Sequence, residues 1–187
     1  MKSYRVNDIF YSLQGEGYHT GRAAAFVRFS GCNLRCAFCD TDFASSTPMT
    51  AGEIVDRVSA FPARFVVLTG GEPTLQVDET LLRQLHEAGF EVAMETNGTH
   101  PVPQGVDWVT VSPKGKTVVE RCNELKVVFT GESPSDSGIK ADSYFLQPCD
   151  TGDAVRNQEL IDACVDYIRQ HPRWRLSLQV HKLAGFK

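Results

Sequence analysis

The chain has 187 residues, 42% apolar and 22% charged, and its 19 basic and 23 acidic residues give a formal charge of -4. This composition predicts one folded domain, residues 1–187, without the basic surface that holds a nucleic acid backbone. Because the N-terminal segment lacks the apolar core of a signal peptide and no run is long enough to span a bilayer, we expect a cytoplasmic protein without membrane partners.

Short apolar runs alternate with stretches of helical periodicity, which predicts an α/β fold. In chain order the predicted elements are a strand at 23–30, a helix at 51–61, a strand at 65–69, a helix at 78–88, strands at 91–96, 107–112, 124–129 and 144–147, a helix near 155–170 and a terminal strand at 174–180. Most strand segments are continuously apolar, as expected of a sheet covered on both faces.

Local signals mark the ends of two of the helices. Thr50 and Glu53 form a capping-box pattern at the start of the first helix, and Gly89 follows the second helix where a C′ residue often adopts positive φ. The third helix has an apolar face that includes Leu160 and Cys164.

The connections after residues 96 and 112 offer only about ten residues each and contain prolines, whereas a helical crossover normally needs a dozen or more. The sequence therefore predicts an incomplete, TIM-like barrel of about six parallel strands with about three full helices. In such a barrel the functional loops gather at the carboxyl ends of the strands.

Residues 30–43 read SGCNLRCAFCDTDF and place Cys32, Cys36 and Cys39 in one short loop after a predicted strand. Three thiolates so spaced can hold an iron–sulfur cube, while structural zinc sites usually take four ligands. No second cysteine pair of zinc-site spacing follows, and a chain of this size needs no disulfides. Three ligands to four irons would leave one iron open to a small chelating cofactor.

CNLRCAFC resembles the CxxxCxxC signature of the radical S-adenosylmethionine (SAM) superfamily, and TGGEP at residues 69–73 resembles its glycine-rich cofactor loop. The resemblance implies a 4Fe–4S cluster that binds SAM at its open iron and cleaves it reductively. Gly70 and Gly71 would let bare backbone approach the amino group of the cofactor, with Glu72 as a nearby acceptor.

Five further stretches, FYSLQGEG, AFVRFSGCNLRC, CDTDF, SPK and LQPCD, together resemble the 7-carboxy-7-deazaguanine synthase family over nearly the whole chain. The resemblance implies a lyase of queuosine and 7-deazapurine biosynthesis that converts 6-carboxy-5,6,7,8-tetrahydropterin to 7-carboxy-7-deazaguanine with loss of ammonia. It further implies Mg²⁺, a homodimer, an electron donor such as a flavodoxin, hydrogen abstraction from C6 of the substrate and regeneration of SAM.

The same resemblance implies the site residues, with no side chain assigned a catalytic role. The iron–sulfur ligands are Cys32, Cys36 and Cys39. The SAM contacts are Phe38, Cys39, Asp40, Gly71, Ser112, Pro113, Lys114, Gln147, Pro148, Cys149 and Asp150. The pterin contacts are Leu13, Gln14, Gly15, Arg28, Thr69, His181 and the terminal carboxylate of Lys187, and the magnesium ligand is Thr41.

Several of these residues also have ordinary structural interpretations. Thr41 between two aspartates is common in turns, and Asn97 is consistent with a turn role, while Glu95 lies where it could reach the radical site. Two rival functions remain at this point: a glycyl-radical activating enzyme with the same cysteine spacing, and a zinc or iron–sulfur scaffold without catalysis. SLQGEG and CDTDF disfavour the activating enzyme.

Overall fold

The computed structural model describes residues 2–37, 39 and 45–187. Its strands are β1 (Tyr4–Leu13), β2 (Ala23–Phe29), β3 (Thr47–Met49), β4 (Phe65–Gly70), β5 (Glu91–Thr96), β6 (Trp108–Val111), β7 (Arg121–Phe129), β8 (Lys140–Pro148) and β9 (Trp174–Leu176). Its α-helices are α1 (Ala51–Ser59), α2 (Glu79–Glu87), α3 (Ala154–Gln170) and α4 (Val180–Ala184), and a 3₁₀ turn spans Pro73–Leu75.

The strands form a nine-stranded sheet with the order β3-β1-β2-β4-β5-β6-β7-β8-β9. Every neighbouring pair from β2 to β9 is parallel, while β1 runs antiparallel to both β2 and β3. The predicted α/β partial barrel of six parallel strands and a terminal one is confirmed.

The predicted strands do not include β1 or β3. The ten residues of β1 are YRVNDIFYSL, and the register shifts between Val6 and Asp8, so the two-residue apolar alternation that identifies a strand is interrupted. The predicted terminal strand is also too long, because β9 ends at Leu176 and the chain enters α4 at Val180.

The three predicted helices are present with small changes at their ends. Thr50 and Glu53 form both bonds of the capping box at the start of α1, and Gly89 takes a φ of 82° after α2. In α3, Leu160 and Cys164 are the buried residues. The segments 97–107 and 112–120 contain no helix, which confirms the prediction made from their length and prolines.

Apolar clusters cover both faces of the sheet. On the outer face, α1 and α2 pack over β1, β2, β4 and β5, and α3 packs over β7 and β8. On the inner face, Ala24, Phe26 and Val67 form a smaller cluster, which leaves the inner ends of the strands for polar residues. Among the described residues, no helix combines the length and the apolarity needed to cross a membrane.

Candidate active site

A cavity of about 490 Å³ lies at the carboxyl ends of the parallel strands, where functional loops were predicted. All three cysteines of the CxxxCxxC loop line it, as do these predicted SAM contacts: Cys39, Gly71, Ser112, Lys114, Gln147, Pro148, Cys149 and Asp150. Pro113 is not among the lining residues. The predicted contacts Phe38 and Asp40 and the predicted magnesium ligand Thr41 lie outside the described residues.

The cysteine loop is fixed against the glycine loop by main-chain contacts. The amide of Gly71 donates to the carbonyl of Phe29 at 3.0 Å, and the amide of Glu72 donates to the carbonyl of Gly31 at 2.9 Å. A Cβ on Gly71 would lie 2.0 Å from the oxygen of Gly31 and 3.0 Å from the nitrogen of Cys32. Only glycine permits this approach, so the two motifs form one rigid unit.

Glu72 stabilises this unit from within. Its side chain is fully buried, and its carboxylate accepts bonds from the hydroxyls of Thr74 and Thr96 at 2.6 and 2.7 Å and from the amide of Asn97 at 2.8 Å. The expectation that Glu72 would accept from the cofactor is therefore wrong, because its carboxylate is already used and does not line the cavity.

The three cysteines of the loop suit an iron–sulfur cluster. Cys32, Cys36 and Cys39 all line one cavity, and three thiolates leave one iron of a four-iron cube open. Within residues 2–37, 39 and 45–187, no three His, Cys, Asp or Glu side chains are grouped closely enough to hold one metal ion. Burial raises the pKa of the Cys32 thiol. The iron of a bound cluster would offset that increase by binding the thiolate form.

Two polar loops complete the first cavity. Lys114 donates to the hydroxyl of Ser112 at 2.6 Å. Asp150 accepts from the ammonium of Lys182 at 2.7 Å and from the amide of Gly152 at 3.0 Å. These bonds, led by the one from Lys182, lower the pKa of Asp150, which is therefore an anionic acceptor at neutral pH.

A second cavity of about 430 Å³ adjoins the first. It is lined by every residue predicted to contact the pterin: Leu13, Gln14, Gly15, Arg28, Thr69, His181 and Lys187. These residues come from both ends of the chain and from two interior strands. The structure therefore brings together a set that is dispersed along the sequence.

Arg28 contributes a cation to one wall of the second cavity. It follows Phe26 on the inner face of β2, and its guanidinium carbon lies 5.6 Å from the centroid of the Phe10 ring. Its Nε is buried and has no hydrogen-bond partner among the described residues. An unsatisfied buried donor of this kind is expected to bind an anionic ligand group.

The C-terminal segment closes the second cavity from the side of β1. The amide of Val180 donates to the carbonyl of Gly15 at 3.0 Å. A Cβ on Gly15 would lie 2.3 Å from Nδ1 of His181, so glycine is required for the ring to pack there. The hydroxyl of Ser12 donates to the main-chain oxygen of Lys187 at 2.6 Å, which places the last residue over β1.

The two cavities share part of their walls. Glu16, Thr69, Glu95 and Gln179 line both of them. Beneath this junction the ammonium of Lys126 donates to Oε2 of Glu16 at 2.7 Å and to Oε2 of Glu95 at 3.0 Å. The two cavities therefore meet at a pair of carboxylates held by one buried cation.

Charge pairing controls the protonation of this junction. Burial opposes ionisation of Glu16, but the ammonium of Lys126 outweighs it and lowers the pKa of Glu16 to about 2. Burial likewise disfavours the charged lysine, yet the surrounding carboxylates raise the pKa of Lys126 above its ordinary value. The lysine and Glu16 are both ionised at neutral pH.

A third carboxylate nearby behaves in the opposite way. Glu124 is buried on β7, where it accepts from the amide of Tyr18 at 3.1 Å. Burial, with a smaller effect from the charge of Glu95, raises the pKa of Glu124 to about 7. This residue does not line either cavity.

The predicted site residues do not include Glu16, Lys126 or Gln179, and Glu95 has no assigned role among them. One signal was available in the ELKVV portion of β7, where Glu124 and Lys126 alternate with buried Leu125 and Val127. Charged side chains on alternate positions of an otherwise apolar strand indicate that one face borders a polar site. Gln179 offered no comparable signal, because it lies in a segment predicted as strand.

The Radical SAM superfamily model matches residues 26–115 of the chain. The matched segment contains the cysteine loop and the glycine loop that form the wall of the first cavity.

Relatives match over nearly the full length. A 7-carboxy-7-deazaguanine synthase of Bacteroides thetaiotaomicron is 52% identical over 186 residues, with 98% of each chain covered. One from Bordetella pertussis is 43% identical, with 98% of this chain and 99% of the relative covered. The crystal structure of QueE from Escherichia coli aligns with a TM-score of 0.78 at 29% identity, over 96% of this chain and 95% of that one.

Proposed function

Because the chain belongs to the 7-carboxy-7-deazaguanine synthase family of radical SAM enzymes, we infer that it converts 6-carboxy-5,6,7,8-tetrahydropterin to 7-carboxy-7-deazaguanine with loss of ammonia. Its relatives that match over nearly the full length are 7-carboxy-7-deazaguanine synthases. This reaction belongs to queuosine and 7-deazapurine biosynthesis.

The cofactors of this family are a 4Fe–4S cluster, SAM and Mg²⁺. When bound, the cluster supplies the electron that cleaves SAM and so generates the carbon radical that abstracts hydrogen from the substrate. Cys32, Cys36 and Cys39 are the proposed ligands of the cluster. Thr41 is the proposed magnesium ligand.

One observation supports the substrate assignment more than any other. All seven residues proposed to contact the pterin line one cavity, and that cavity shares a wall with the cavity lined by the three cysteines. A reaction in which the cofactor abstracts hydrogen from the substrate needs the two molecules in contact. Two adjoining cavities meet that requirement.

The charges of the second cavity suit a carboxypterin in one orientation. We propose that the unpartnered Nε of Arg28 pairs with the substrate carboxylate, and that Glu16 and Glu95 on the shared wall accept bonds from ring N–H groups. The reversed orientation would place the substrate carboxylate against two carboxylates. The charges of the cavity thus fix one orientation of the substrate.

On the cofactor side, we propose that Gly71, Ser112, Pro113, Lys114 and the Gln147–Asp150 loop hold SAM together with Phe38, Cys39 and Asp40. Asp150 is fixed as an anion by Lys182, so it can accept from a hydroxyl or amino group. Pro113 would act by setting the loop between Ser112 and Lys114.

We further propose that residues 1–187 form a single radical SAM domain, since one sheet includes strands from Tyr4 to Leu176. The proposed assembly is a homodimer that works in the cytoplasm and receives electrons from a donor such as a flavodoxin.

The test is anaerobic incubation of the reconstituted protein with 6-carboxytetrahydropterin, SAM, dithionite and Mg²⁺, followed by chromatography. We expect 7-carboxy-7-deazaguanine and ammonia in equal amounts. Formation of 5′-deoxyadenosine without any deazapurine would retain the superfamily chemistry and refute the proposed substrate.

A further inference from the structure

The buried ion-pair cluster at the junction of the two cavities contains one cation, Lys126, and two carboxylates, Glu16 and Glu95. None of these three residues is among the predicted site residues. Lys126 has a side chain that is 7% exposed, and its partners Glu16 and Glu95 are 18% and 20% exposed. A lysine ammonium is costly to bury, and apolar replacements often stabilise a fold as well as a buried ion pair does. Stability alone therefore gives a weak reason for a charged cluster here.

We propose that Lys126 is a positioning residue for the synthase reaction, holding Glu16 and Glu95 as a fixed pair of acceptors that orient the pterin against the cofactor cavity. This inference rests on the proposed function and extends it to a residue that lines the first cavity but not the second.

The hydrogen bonds leave each carboxylate able to accept from a ligand. Oε2 of each glutamate accepts from Lys126. Oε1 of Glu16 accepts from the side-chain amide of Gln179 at 3.0 Å, and Oε1 of Glu95 accepts from the side-chain amide of Gln14 at 3.2 Å. An ionised carboxylate has about four lone-pair sites. About two sites on each glutamate therefore remain for substrate N–H groups.

The cation also keeps the two acceptors from repelling each other. The charged groups facing Lys126 are Glu16, Glu95 and Glu124 and, across the first cavity, Lys114, while His181 faces Glu16 from α4. Without the lysine charge, two carboxylates would share one partly buried site, and their mutual repulsion would favour protonation of one of them. A protonated glutamate donates from one oxygen where the pterin also donates, so recognition would weaken.

Lys126→Met tests this directly, since it keeps an unbranched side chain as far as the ε carbon and removes the ammonium. Lys140→Met, an exposed lysine on the neighbouring strand β8, is the matched control. Iron content and the change in the cluster EPR signal on adding SAM report the first cavity. Equilibrium binding of 6-carboxytetrahydropterin to the reconstituted, SAM-loaded enzyme between pH 6 and 9 reports the second.

We expect Lys126→Met to bind iron and SAM like wild type but to bind the pterin at least about 30-fold more weakly at pH 7.5, as charge-assisted contacts are lost. Its affinity should recover partly as the pH rises and the glutamates ionise, a trend absent from Lys140→Met. Lys126→Arg, which keeps the charge, should restore most of the affinity. If Lys126→Met folds poorly, the triple variant Lys126→Met, Glu16→Gln, Glu95→Gln removes the charge conflict and should show the same selective loss.

Pterin affinity within threefold of wild type in a folded Lys126→Met or in the triple variant would overturn the inference and leave a merely structural ion pair. Equal losses of SAM and pterin affinity would also overturn it. If the wild-type enzyme itself does not bind 6-carboxytetrahydropterin, the proposed function is wrong and this inference falls with it.

Discussion

The two cavities of the site are built in different ways. The first is formed by loops that each follow a parallel strand, and its wall is fixed by main-chain bonds between residues 29–31 and 71–72. The second is closed by β1 and the C-terminal segment, which meet through contacts such as Val180 with Gly15. The first cavity therefore depends on local backbone geometry, while the second depends on contacts between distant parts of the chain.

This difference has a functional consequence. A radical SAM enzyme needs the same cofactor geometry whatever its substrate, and under the proposed function the first cavity supplies it from short motifs. Substrate recognition would then be added by long-range packing at one side of the barrel. Damage to the first cavity should therefore abolish all chemistry, while damage to the second should remove the substrate and spare the cofactor.

The largest expected effect comes from the cysteine loop. Cys36→Ala removes one proposed cluster ligand, so we expect loss of the bound cluster and a decrease of at least about 1,000-fold in SAM cleavage, since no residual route supplies the electron. Iron analysis and chromatography for 5′-deoxyadenosine measure both. Cys164→Ala, buried in α3, is the control and should keep its iron; an equal loss there would contradict the assignment.

Gly71→Ala should have the next largest effect. The added Cβ would meet main-chain atoms of Gly31 and Cys32, so the cysteine loop must move, and we expect about a 100-fold loss of SAM affinity from this displacement. The EPR response of the cluster to SAM measures this. Gly115→Ala, whose Cβ would meet nothing within 4 Å, should bind SAM normally.

Arg28→Gln should affect the second cavity alone. Loss of one charge-assisted contact is expected to weaken pterin binding about 10- to 100-fold, with iron content and SAM binding unchanged. Titration of the SAM-loaded enzyme with 6-carboxytetrahydropterin measures the change. Arg83→Gln, an exposed residue on α2, should leave both affinities unaltered. A parallel decrease of SAM affinity in Arg28→Gln would show that the two cavities are not separable.

Glu124→Gln should give the smallest effect, and its sign depends on pH. Because burial raises the pKa of Glu124 from 4.5 to about 7, the folded state retains a proton that the unfolded chain releases, so wild-type stability falls between about pH 4.5 and 7. Glutamine avoids this loss while still accepting from the Tyr18 amide. We expect the free energy of unfolding to increase by no more than about 3 kcal/mol at pH 8, and by less towards pH 5.

Thermal unfolding at pH 5, 6.5 and 8 would test the prediction for Glu124. An increase in melting temperature that is the same at all three pH values would mean that the carboxyl group of Glu124 does not titrate in this range.

The same contrast explains what the sequence could and could not predict. The parallel strands, the capping box at Thr50 and Glu53 and the cysteine loop are encoded in short segments, so periodicity and motifs located them. β1 has a register irregularity and polar residues, and its strand conformation depends on pairing with β2. Lys126 became interpretable only once folding placed it between Glu95 and Glu16, which are 31 and 110 residues away in the sequence.

The proposed reaction depends on direct contact between substrate and cofactor at the shared wall of the two cavities, and isotope transfer tests this contact most directly. The anaerobic reaction would be run with 6-carboxytetrahydropterin carrying deuterium at C6, and the recovered SAM and 5′-deoxyadenosine analysed by mass spectrometry. We predict deuterium at the 5′ carbon of the recovered adenosyl group together with formation of 7-carboxy-7-deazaguanine. Formation of that product with no deuterium in either nucleoside would contradict the account.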